Sequence, residues 1–317
     1  MQKPQTEFEK DVLKGLTDYP KHIPSKYIYD KKGDKLFQDI MVMPEYYLTN
    51  CEFDILSQQK TKICDSFFHE NGFDLIELGA GDGKKTKILL KELIDSKFDF
   101  KYFPIDISEN VLNELESTLR HEIPEVKIEP QQGTYFDMLA DLDKYRNRKK
   151  VILFLGSNIG NLLHENAIHF LKQIQENMHK EDILFMGFDQ KKNPQTILDA
   201  YNDETKITES FNKNLLRRIN TEFEANFNLE NFMHWETYNP ETGTALSFLV
   251  SKKDQNIRIE KLDLDVKFKA WESLHVEISQ KYDDQVIKWI AKEADLDIVD
   301  FFADEKDFYR NYVFRSK

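Results

Sequence analysis

Between residues 73 and 188, short apolar runs alternate with amphipathic helix-like stretches, and this alternation constrains the fold more than any other feature. Such apolar runs are typical of strands covered on both faces, and helical connections between them favour right-handed crossovers. The pattern therefore predicts an α/β fold built on a doubly wound parallel sheet. The predicted strands are residues 73–78, 101–105, 126–130, 151–156 and 183–188, and the predicted helices are residues 84–96, 108–121 and 165–178.

The flanking regions have a different character. Residues 1–52 look helical and loop-rich, whereas residues 220–282 show the alternation typical of antiparallel strands. Apolar residues are odd-numbered at Ile257 and Ile259 but even-numbered at Leu264 and Val266, which predicts a turn or bulge near residues 260–261. A helix at 285–294 and strands at 296–302 and 308–314 would complete the sheet with an antiparallel pair. We predict a sheet domain of residues 53–192 and 281–317 and a discontinuous α+β domain of residues 1–52 and 193–280.

Composition narrows the possible partners. A formal net charge of −13 makes nucleic acid a poor partner, because binding to it depends on Lys and Arg neutralising phosphates. No stretch has the pattern of a secretory signal or a membrane span. Cys51 and Cys64 are too few for a disulfide framework, and the eight histidines show no metal-ligand spacing. We expect a cytoplasmic monomer that acts on a small molecule, with no metal, nucleic-acid or membrane partner.

A glycine-rich turn, Gly-Ala-Gly-Asp-Gly at residues 79–83, follows the first predicted strand. Glycines allow a tight turn and let a ligand approach the main chain at a helix N-terminus. The hydride-cofactor fingerprint requires glycine at position 84, where this chain has Lys84, whereas the spacing found here suits S-adenosylmethionine, which has no pyrophosphate. Asp106 ends the second strand, where a carboxylate can accept hydrogen bonds from ribose hydroxyls. The order of these features predicts a nucleoside-type cofactor.

Two further segments follow predicted strands. Tyr135 comes after the third strand and could stack on a purine, although an ordinary buried aromatic residue is an equally good interpretation. The run Gly-Ser-Asn-Ile-Gly-Asn at residues 156–161 follows the fourth strand, at the sheet edge where ligands of open α/β folds bind. The chain has no N/D-P-P-Y/F/W run here, which many methyltransferases acting on nucleobase amines carry.

The run Pro-Glu-Tyr-Tyr at residues 44–47 and the run at 156–161 are specific to one group of enzymes. Further matches lie at residues 29–37, 106–108, 187–189, 200–203, 211–212 and 277–279. On these residues, and over nearly its whole length, the chain resembles the L-histidine Nα-methyltransferases of ergothioneine biosynthesis. The resemblance implies a class I, Rossmann-like S-adenosylmethionine methyltransferase sheet with a discontinuous substrate-binding domain. It also implies methylation of the α-amino group of free histidine to the trimethylated product hercynine.

The resemblance assigns roles to individual residues. The implied cofactor-binding residues are Gly79, Gly81, Lys85, Asp106, Thr134, Tyr135 and Gly156. The implied catalytic residues, which hold the amine and carboxylate of the substrate, are Tyr46, Asn161 and Tyr201. Glu277 and Ser279 are implied to grip the imidazole, in a pocket lined by Tyr29, Phe37 and Ser247. The family usually has an acidic residue at position 134 and Met at position 247, so Thr134 and Ser247 are departures, and the second leaves room for a larger side chain.

Residues 274–279 can also be interpreted without the resemblance. The polar residues His275, Glu277 and Ser279 alternate with apolar ones, which predicts that all three share one face of a strand. Neighbours on that face are about 7 Å apart, given a rise of roughly 3.3 Å per residue, and this spacing suits two contacts to one small ring. Alternation alone is more typical of a solvated face.

Two alternative functions remain open from the sequence. One is N-methylation of another amino acid or of an indole-bearing amine. The other is a nucleotide-binding homologue without catalytic activity, although the presence of Tyr46, Asn161 and Tyr201 argues against it.

Overall fold

The computed structural model of the chain describes residues 6–133 and 148–317. They form two compact units, which we name by their sheets. The large-sheet unit comprises Leu48–Lys191 and Tyr282–Lys317, and the small-sheet unit comprises Met1–Tyr47 and Lys192–Lys281. The domain prediction divides the chain after residues 52, 192 and 280, whereas the structure divides it after residues 47, 191 and 281.

Helices and strands are numbered here within the described residues. The helices are α1 (Glu7–Thr17), α2 (Lys31–Met41), α3 (Tyr47–Phe67), α4 (Thr86–Asp95), α5 (Glu109–Glu122), α6 (His164–Gln175), α7 (Pro194–Tyr201), α8 (Ile207–Phe223) and α9 (Asp284–Glu293). The strands are β1 (Lys21–His22), β2 (Phe73–Leu78), β3 (Phe100–Asp106), β4 (Gln131–Gln132), β5 (Lys149–Phe154), β6 (Ile183–Asp189), β7 (Phe232–Asn239), β8 (Thr244–Ser251), β9 (Gln255–Ile259), β10 (Leu264–Phe268), β11 (Ser273–Gln280), β12 (Leu296–Ala303) and β13 (Tyr309–Ser316).

The sheet of the large-sheet unit has the strand order β12-β13-β6-β5-β2-β3-β4. Strands β2 to β6 are mutually parallel, whereas β13 runs antiparallel to both β6 and β12. Every residue of β2, β5 and β6 is buried, as expected for strands covered on both faces. The predicted doubly wound parallel sheet, completed by an antiparallel pair, is therefore confirmed.

The prediction of the third strand was wrong in its position. Within residues 126–130 only Ile128 forms an isolated bridge, to Tyr102, and the paired strand is the short β4 at Gln131–Gln132. Because β4 lies at the edge of the sheet, it has one neighbour and needs few ladder hydrogen bonds. An apolar run at an edge therefore overstates the length of the strand.

Helices α6 and α9 pack against one buried cluster in the large-sheet unit. This cluster contains Phe170 and Leu171 of α6, Ile287 of α9, and Ile152 and Met186 from the central strands. Each fully buried side chain of this kind contributes about 1.5–3 kcal/mol relative to an exposed one. The packing holds the central strands in place, and the carboxyl ends of β2, β3 and β5 therefore form a rigid edge.

The small-sheet unit contains a sheet of order β1-β11-β8-β7 and the separate hairpin β9-β10. Strands β7, β8 and β11 pair antiparallel, and β1 adds to β11 in parallel. Residues Glu260–Leu262 form a 3-10 turn between β9 and β10, followed by Asp263 with a φ of +48°. This turn reverses the apolar phase, and it confirms the irregularity predicted near residues 260–261.

A β-bulge in β11 corrects one prediction about this sheet. His275 pairs with Phe248 and Glu277 pairs with Ser247, so two steps along β11 match one step along β8. Adjacent residues of β8 point to opposite faces, and so His275 and Glu277 do as well. The expectation that His275 shares a face with Glu277 and Ser279 was therefore wrong, because alternation in sequence does not reveal a bulge.

Candidate active site

The glycine-rich turn after β2 has a backbone conformation with positive φ angles, which glycine adopts more readily than other residues. Gly79, Gly81 and Gly83 have φ values of +76°, +52° and +64°. A Cβ at Gly83 would lie 2.4 Å from Cδ1 of Leu115 on α5, so Gly83 allows close packing. At Gly81 nothing lies within 4 Å of the position that a Cβ would occupy. The turn therefore borders an open space in which a ligand can approach the main chain.

Asp106, at the end of β3, lies beside this turn. Its Oδ1 accepts a hydrogen bond from the Ser108 N–H at 3.0 Å, and its Oδ2 lies 3.4 Å from the Gly81 nitrogen. A carboxylate oxygen has two lone pairs, so both oxygens can accept further hydrogen bonds. The half-buried Asp106 carboxylate and the open glycine turn fit the ribose end of a nucleoside.

A buried carboxylate on α3 joins three parts of this region. Glu52 is fully buried. Its Oε2 accepts hydrogen bonds from Lys85 Nζ at 2.6 Å and from the Gly156 N–H at 2.8 Å. Its Oε1 accepts one from Asn311 Nδ2 of β13 at 2.8 Å. The structure therefore places Lys85 and Gly156 on one carboxylate, which the sequence interpretation did not identify.

The turn after β5 carries two more of the predicted residues. Gly156 and Ser157 have φ values of +77° and +57°, and Ser157 Oγ accepts a hydrogen bond from the Asp189 N–H at 3.1 Å. Asn161 ends the 3-10 turn Asn158–Asn161 and its side chain is exposed. The predicted cofactor residues Thr134 and Tyr135 lie outside the described residues.

Aromatic side chains of the small-sheet unit form a continuous cluster, which we call the aromatic cluster. Ring centroids lie 5.6 Å apart for Tyr29 and Phe37, 6.4 Å for Phe37 and Tyr46, and 6.1 Å for Tyr46 and Tyr201. Phe211 of α8 joins it at 5.3 Å from Tyr29. The structure thus brings together four residues that the sequence predicted separately, and it adds Phe211.

The fully buried Lys281 organises the polar end of this cluster. Its Nζ donates hydrogen bonds to the Tyr201 hydroxyl and to Ser279 Oγ, both at 2.8 Å. The two hydroxyl oxygens lie 2.7 Å apart, and the Lys281 ammonium is 4.5 Å from the centroid of the Tyr201 ring. Tyr201 and Ser279 are therefore held by one cation that the sequence interpretation missed.

Three side chains lie side by side across β7, β8 and β11, and we call them the carboxylate row. In the sheet register Ser247 pairs with Glu236 on one side and with Glu277 on the other. Ser247 Oγ lies 2.6 Å from Glu236 Oε2. Burial raises the pKa of Glu236 to about 8 and that of Glu277 to about 7. The two carboxyl groups therefore gain protons far more readily than exposed ones.

The surroundings of Glu277 both raise and lower its pKa. Hydrogen bonds from Asn212 and Ser247 and the charge of Lys281 oppose the effect of burial on the Glu277 pKa. Burial, followed by the nearby Glu277, raises the pKa of Tyr29 well above its usual value. Tyr29 is therefore a neutral phenol near a carboxyl group, suited to donate a hydrogen bond.

A cavity of about 250 Å³ also touches the carboxylate row from the free edge of β7. Its lining includes Glu236, Asn202 and the exposed Trp235. None of its lining residues was predicted as part of the site.

Within residues 6–133 and 148–317, no group of three or more His, Cys, Asp or Glu is placed to hold a metal ion. No helix in the same ranges is long and apolar enough to cross a bilayer. Cys51 and Cys64 are both buried, and burial raises the pKa of Cys64 to about 12.

The parallel sheet with its antiparallel end pair, the open glycine turn and the acid at the end of the next strand together define a class. The protein is an S-adenosylmethionine-dependent methyltransferase of the class I, Rossmann-like fold. The family model described as "Histidine-specific methyltransferase, SAM-dependent" matches residues 8–316, and the chain belongs to that family. The family recognised from the sequence is therefore confirmed.

Individual relatives agree with this assignment. The chain is 32% identical over 273 residues to a histidine N-alpha-methyltransferase of Mycolicibacterium smegmatis, covering 86% of this chain and 84% of the relative. It is 31% identical over 296 residues to the Mycobacterium tuberculosis protein of the same name, covering 93% and 91%. A 4-dimethylallyltryptophan N-methyltransferase of Claviceps purpurea is 29% identical over 209 residues, covering 62% and 59%.

Proposed function

We propose that this methyltransferase transfers methyl groups from S-adenosylmethionine to the α-amino nitrogen of free L-histidine, as far as the trimethylated product. The observation that carries the proposal is the placement of Glu277 and Ser279 on β11. Ser279 bonds to Tyr201 of the aromatic cluster, and Glu277 is, after burial, the largest contributor to the raised pKa of Tyr29. The names of the family and of its bacterial relatives support the same substrate.

The glycine turn and its neighbours would hold the cofactor. We propose that Gly79, Gly81 and Gly156 offer main-chain contacts, that Asp106 accepts from the ribose hydroxyls, and that Lys85 keeps the turn in place through Glu52. Thr134 and Tyr135 remain predictions for the adenine end. When bound, the cofactor supplies a methyl group on a sulfonium, which is an excellent leaving group. The protein therefore needs no nucleophilic side chain, and its contribution is alignment and exclusion of water.

Tyr46, Asn161 and Tyr201 are proposed to hold the amine and carboxylate of the substrate. Lys281 restrains the Tyr201 hydroxyl, so this contact point is rigid before the substrate arrives. Rigid positioning matters because a misplacement of about 1 Å can reduce the rate roughly 10²-fold. Rings such as those of Tyr29, Phe37 and Tyr46 also favour a methylated ammonium through cation–π attraction. If the carboxylate is the anchored group, the amine can rotate and present a new lone pair after each transfer.

Glu277 and Ser279 are proposed to select the imidazole ring. A carboxylate accepts a hydrogen bond from a ring N–H, which an apolar side chain cannot provide. The alternative substrate class, amines bearing an indole, is suggested by the Claviceps purpurea relative and by the small Ser247. However, Ser247 is hydrogen-bonded to Glu236, and a polar wall at this point favours imidazole over indole.

The proposal is tested by incubating the protein with S-adenosylmethionine and each free amino acid, and by measuring the methylated products by mass spectrometry. We expect histidine to be the preferred substrate and trimethylhistidine to accumulate at long incubation. Preference for another amino acid would overturn the substrate, and accumulation of monomethylhistidine alone would overturn the number of transfers. A cytoplasmic, monomeric enzyme without a nucleic-acid or membrane partner stays a prediction from charge and cysteine usage.

A further inference from the structure

The carboxylate row contains one carboxyl group, Glu236, to which the proposed function gives no role. Glu236 pairs with Ser247, and Ser247 pairs with Glu277, in adjacent strands and on one face of the small sheet. Ser247 is 2% exposed, and its Oγ is 2.6 Å from Glu236 Oε2.

The chemistry of the row follows from having two half-buried acids and one buried hydroxyl group between them. Two adjacent carboxylates repel each other, so the pair holds a shared proton more strongly than either acid does alone. The charge of Lys281 lowers the pKa of both carboxyl groups, but Glu277 alone also receives a hydrogen bond from Asn212, and the pKa of Glu236 stays higher, at about 8. His234, two residues before Glu236 on the same strand, is kept neutral because burial lowers its pKa to about 4. The proton of the row therefore belongs on Glu236.

A directional chain of hydrogen bonds results. With Glu236 protonated, its carboxyl O–H can donate to Ser247 Oγ across the 2.6 Å contact, and this frees the hydroxyl hydrogen of Ser247 for Glu277. Glu277 is the partner of Ser247 in the neighbouring strand, and a hydrogen bond from Ser247 lowers its pKa. A hydrogen bond from the Ser247 hydroxyl fixes the rotamer of Glu277. It also stabilises the ionised form of Glu277, which therefore remains a hydrogen-bond acceptor. The remaining lone pairs of Glu277 are left for an N–H group of the substrate.

We propose that Glu236 is a positioning residue for substrate selection, which acts through the Ser247 hydroxyl to hold Glu277 as the acceptor for the imidazole N–H. This inference rests on the proposed function of Glu277 and goes beyond it, because it assigns selectivity to a residue that does not touch the ring.

The test compares two pairs of variants of similar size. Glu236→Gln keeps a donor for Ser247, whereas Glu236→Met removes it, and Ser247→Thr keeps the hydroxyl, whereas Ser247→Ala removes it. For each variant, the Kd of histidine is measured by calorimetry with S-adenosylhomocysteine present, together with KM and kcat. Glu230→Gln, an exposed glutamate just before β7, is the matched control.

We expect the Met and Ala variants to weaken histidine binding about tenfold or more, the change that accompanies loss of one hydrogen bond to a charged group. The Gln and Thr variants should recover most of that affinity, and kcat at saturating histidine should change much less than KM. Glu230→Gln should bind histidine as the wild type does. Gln and Met are similar in size, so a residue that serves only in packing could be replaced by either with the same result. Recovery of affinity by Gln and Thr alone therefore identifies a role in hydrogen bonding.

Equal affinity of the Gln and Met variants, whether both are weak or both are normal, overturns the role of Glu236. If Glu236→Met does not fold, as judged by its thermal unfolding, the Ser247→Ala and Ser247→Thr pair decides by the same criterion. If the wild type binds and methylates histidine and all the variants do so equally well, this inference is wrong and the proposed function stands. A wild type that does not use histidine overturns both this inference and the proposed function.

Discussion

At the scale of single residues, the buried Lys281 has a large energetic consequence. Its ammonium group is fully buried and donates to Tyr201 and Ser279. A buried charge is tolerated only with good partners, because its desolvation costs several kcal/mol. The Tyr201 hydroxyl therefore has two roles: it stabilises Lys281, and in our proposal it also holds the head group of the substrate.

We predict that Tyr201→Phe reduces kcat/KM for histidine about 10²-fold, since the substrate loses a rigid contact. The variant should also lose about 1–3 kcal/mol of stability, because Lys281 loses an acceptor. The matched control is Tyr27→Phe, which removes a 2.7 Å hydrogen bond to Asp11 in the same unit. Steady-state kinetics and urea unfolding should show that the control loses stability but keeps its activity. Similar kinetic losses in both variants would mark Tyr201 as structural.

The residues that carry this site differ in how far the sequence reveals them. Tyr46 and Tyr201 lie in family-specific runs, and the structure places them in one aromatic cluster. Lys281 and Glu236 lie outside such runs. Glu236 is in β7 and Lys281 directly follows β11, and alternating polar residues in such strands are more typical of a solvated face. Their roles depend on which strands become neighbours, and that information is not contained in either strand alone.

At the scale of elements, α3 connects the glycine turn to the central strands through Glu52. One carboxylate accepts hydrogen bonds from Lys85, Gly156 and Asn311, which belong to three separate segments. A Cβ at Gly187 would lie 2.5 Å from Glu52 Oε1, so β6 needs glycine where the carboxylate passes. The geometry of the proposed cofactor site thus depends on Glu52, which the sequence analysis assigned to the other domain as the last residue of its first segment.

We predict that Glu52→Ala lowers the free energy of unfolding by about 3–5 kcal/mol, the usual loss when one partner of a buried ion pair is removed. Asp54→Ala, at an exposed position on the same helix, should change it by less than about 0.5 kcal/mol. Urea unfolding of both variants measures the difference. Equal small effects would show that Glu52 does not hold this region together.

The carboxylate row should make stability depend on pH in a defined direction. The pKa of Glu236 is about 8 in the folded protein, against an ordinary value of 4.5. Between these values the folded protein holds a proton that the unfolded chain releases, so stability falls as the pH rises towards 8. Glu277 and Lys281 face Glu236 and remain present in a Glu236→Gln variant, which removes the titration of Glu236 and its repulsion with Glu277.

We therefore expect the stability of Glu236→Gln relative to the wild type to increase between about pH 5 and pH 8, by at most roughly 1.4 kcal/mol per pH unit. Urea unfolding of both proteins across that range measures the difference. A difference that stays constant or decreases with rising pH would contradict the assignment of the proton to Glu236.

At the scale of the whole molecule, the order of strands and helices was largely predictable, and the pairing of distant segments was not. The large sheet could be predicted because each βαβ unit encodes its own crossover in a local apolar pattern. The small sheet joins β1, near the N-terminus, to β11. Its bulge at His275 and the shortness of β4 depend on neighbours far away in sequence. These non-local contacts are where the sequence prediction failed.

The class of the protein predicts how its global stability responds to ligands. S-adenosylhomocysteine at about 100 times its Kd should raise the free energy of unfolding by about 2.7 kcal/mol, because it binds only the folded protein. NAD at the same concentration should give no stabilisation, since position 84 is Lys84 and the turn lacks the dinucleotide spacing. Thermal unfolding with each ligand measures both effects. Stabilisation by NAD and not by S-adenosylhomocysteine would contradict the cofactor assignment.

The central claim is that the small-sheet unit selects the imidazole side chain of histidine through Glu277. The most direct measurement is kcat/KM for histidine, tryptophan and phenylalanine in the wild type and in Glu277→Ala. We predict that the wild type prefers histidine and that the variant loses about 2–4 kcal/mol of transition-state binding for it, the scale of a charge-assisted hydrogen bond. Its preference should shift towards the aromatic amino acids. A wild type without preference for histidine, or ratios that do not change in the variant, would contradict the claim.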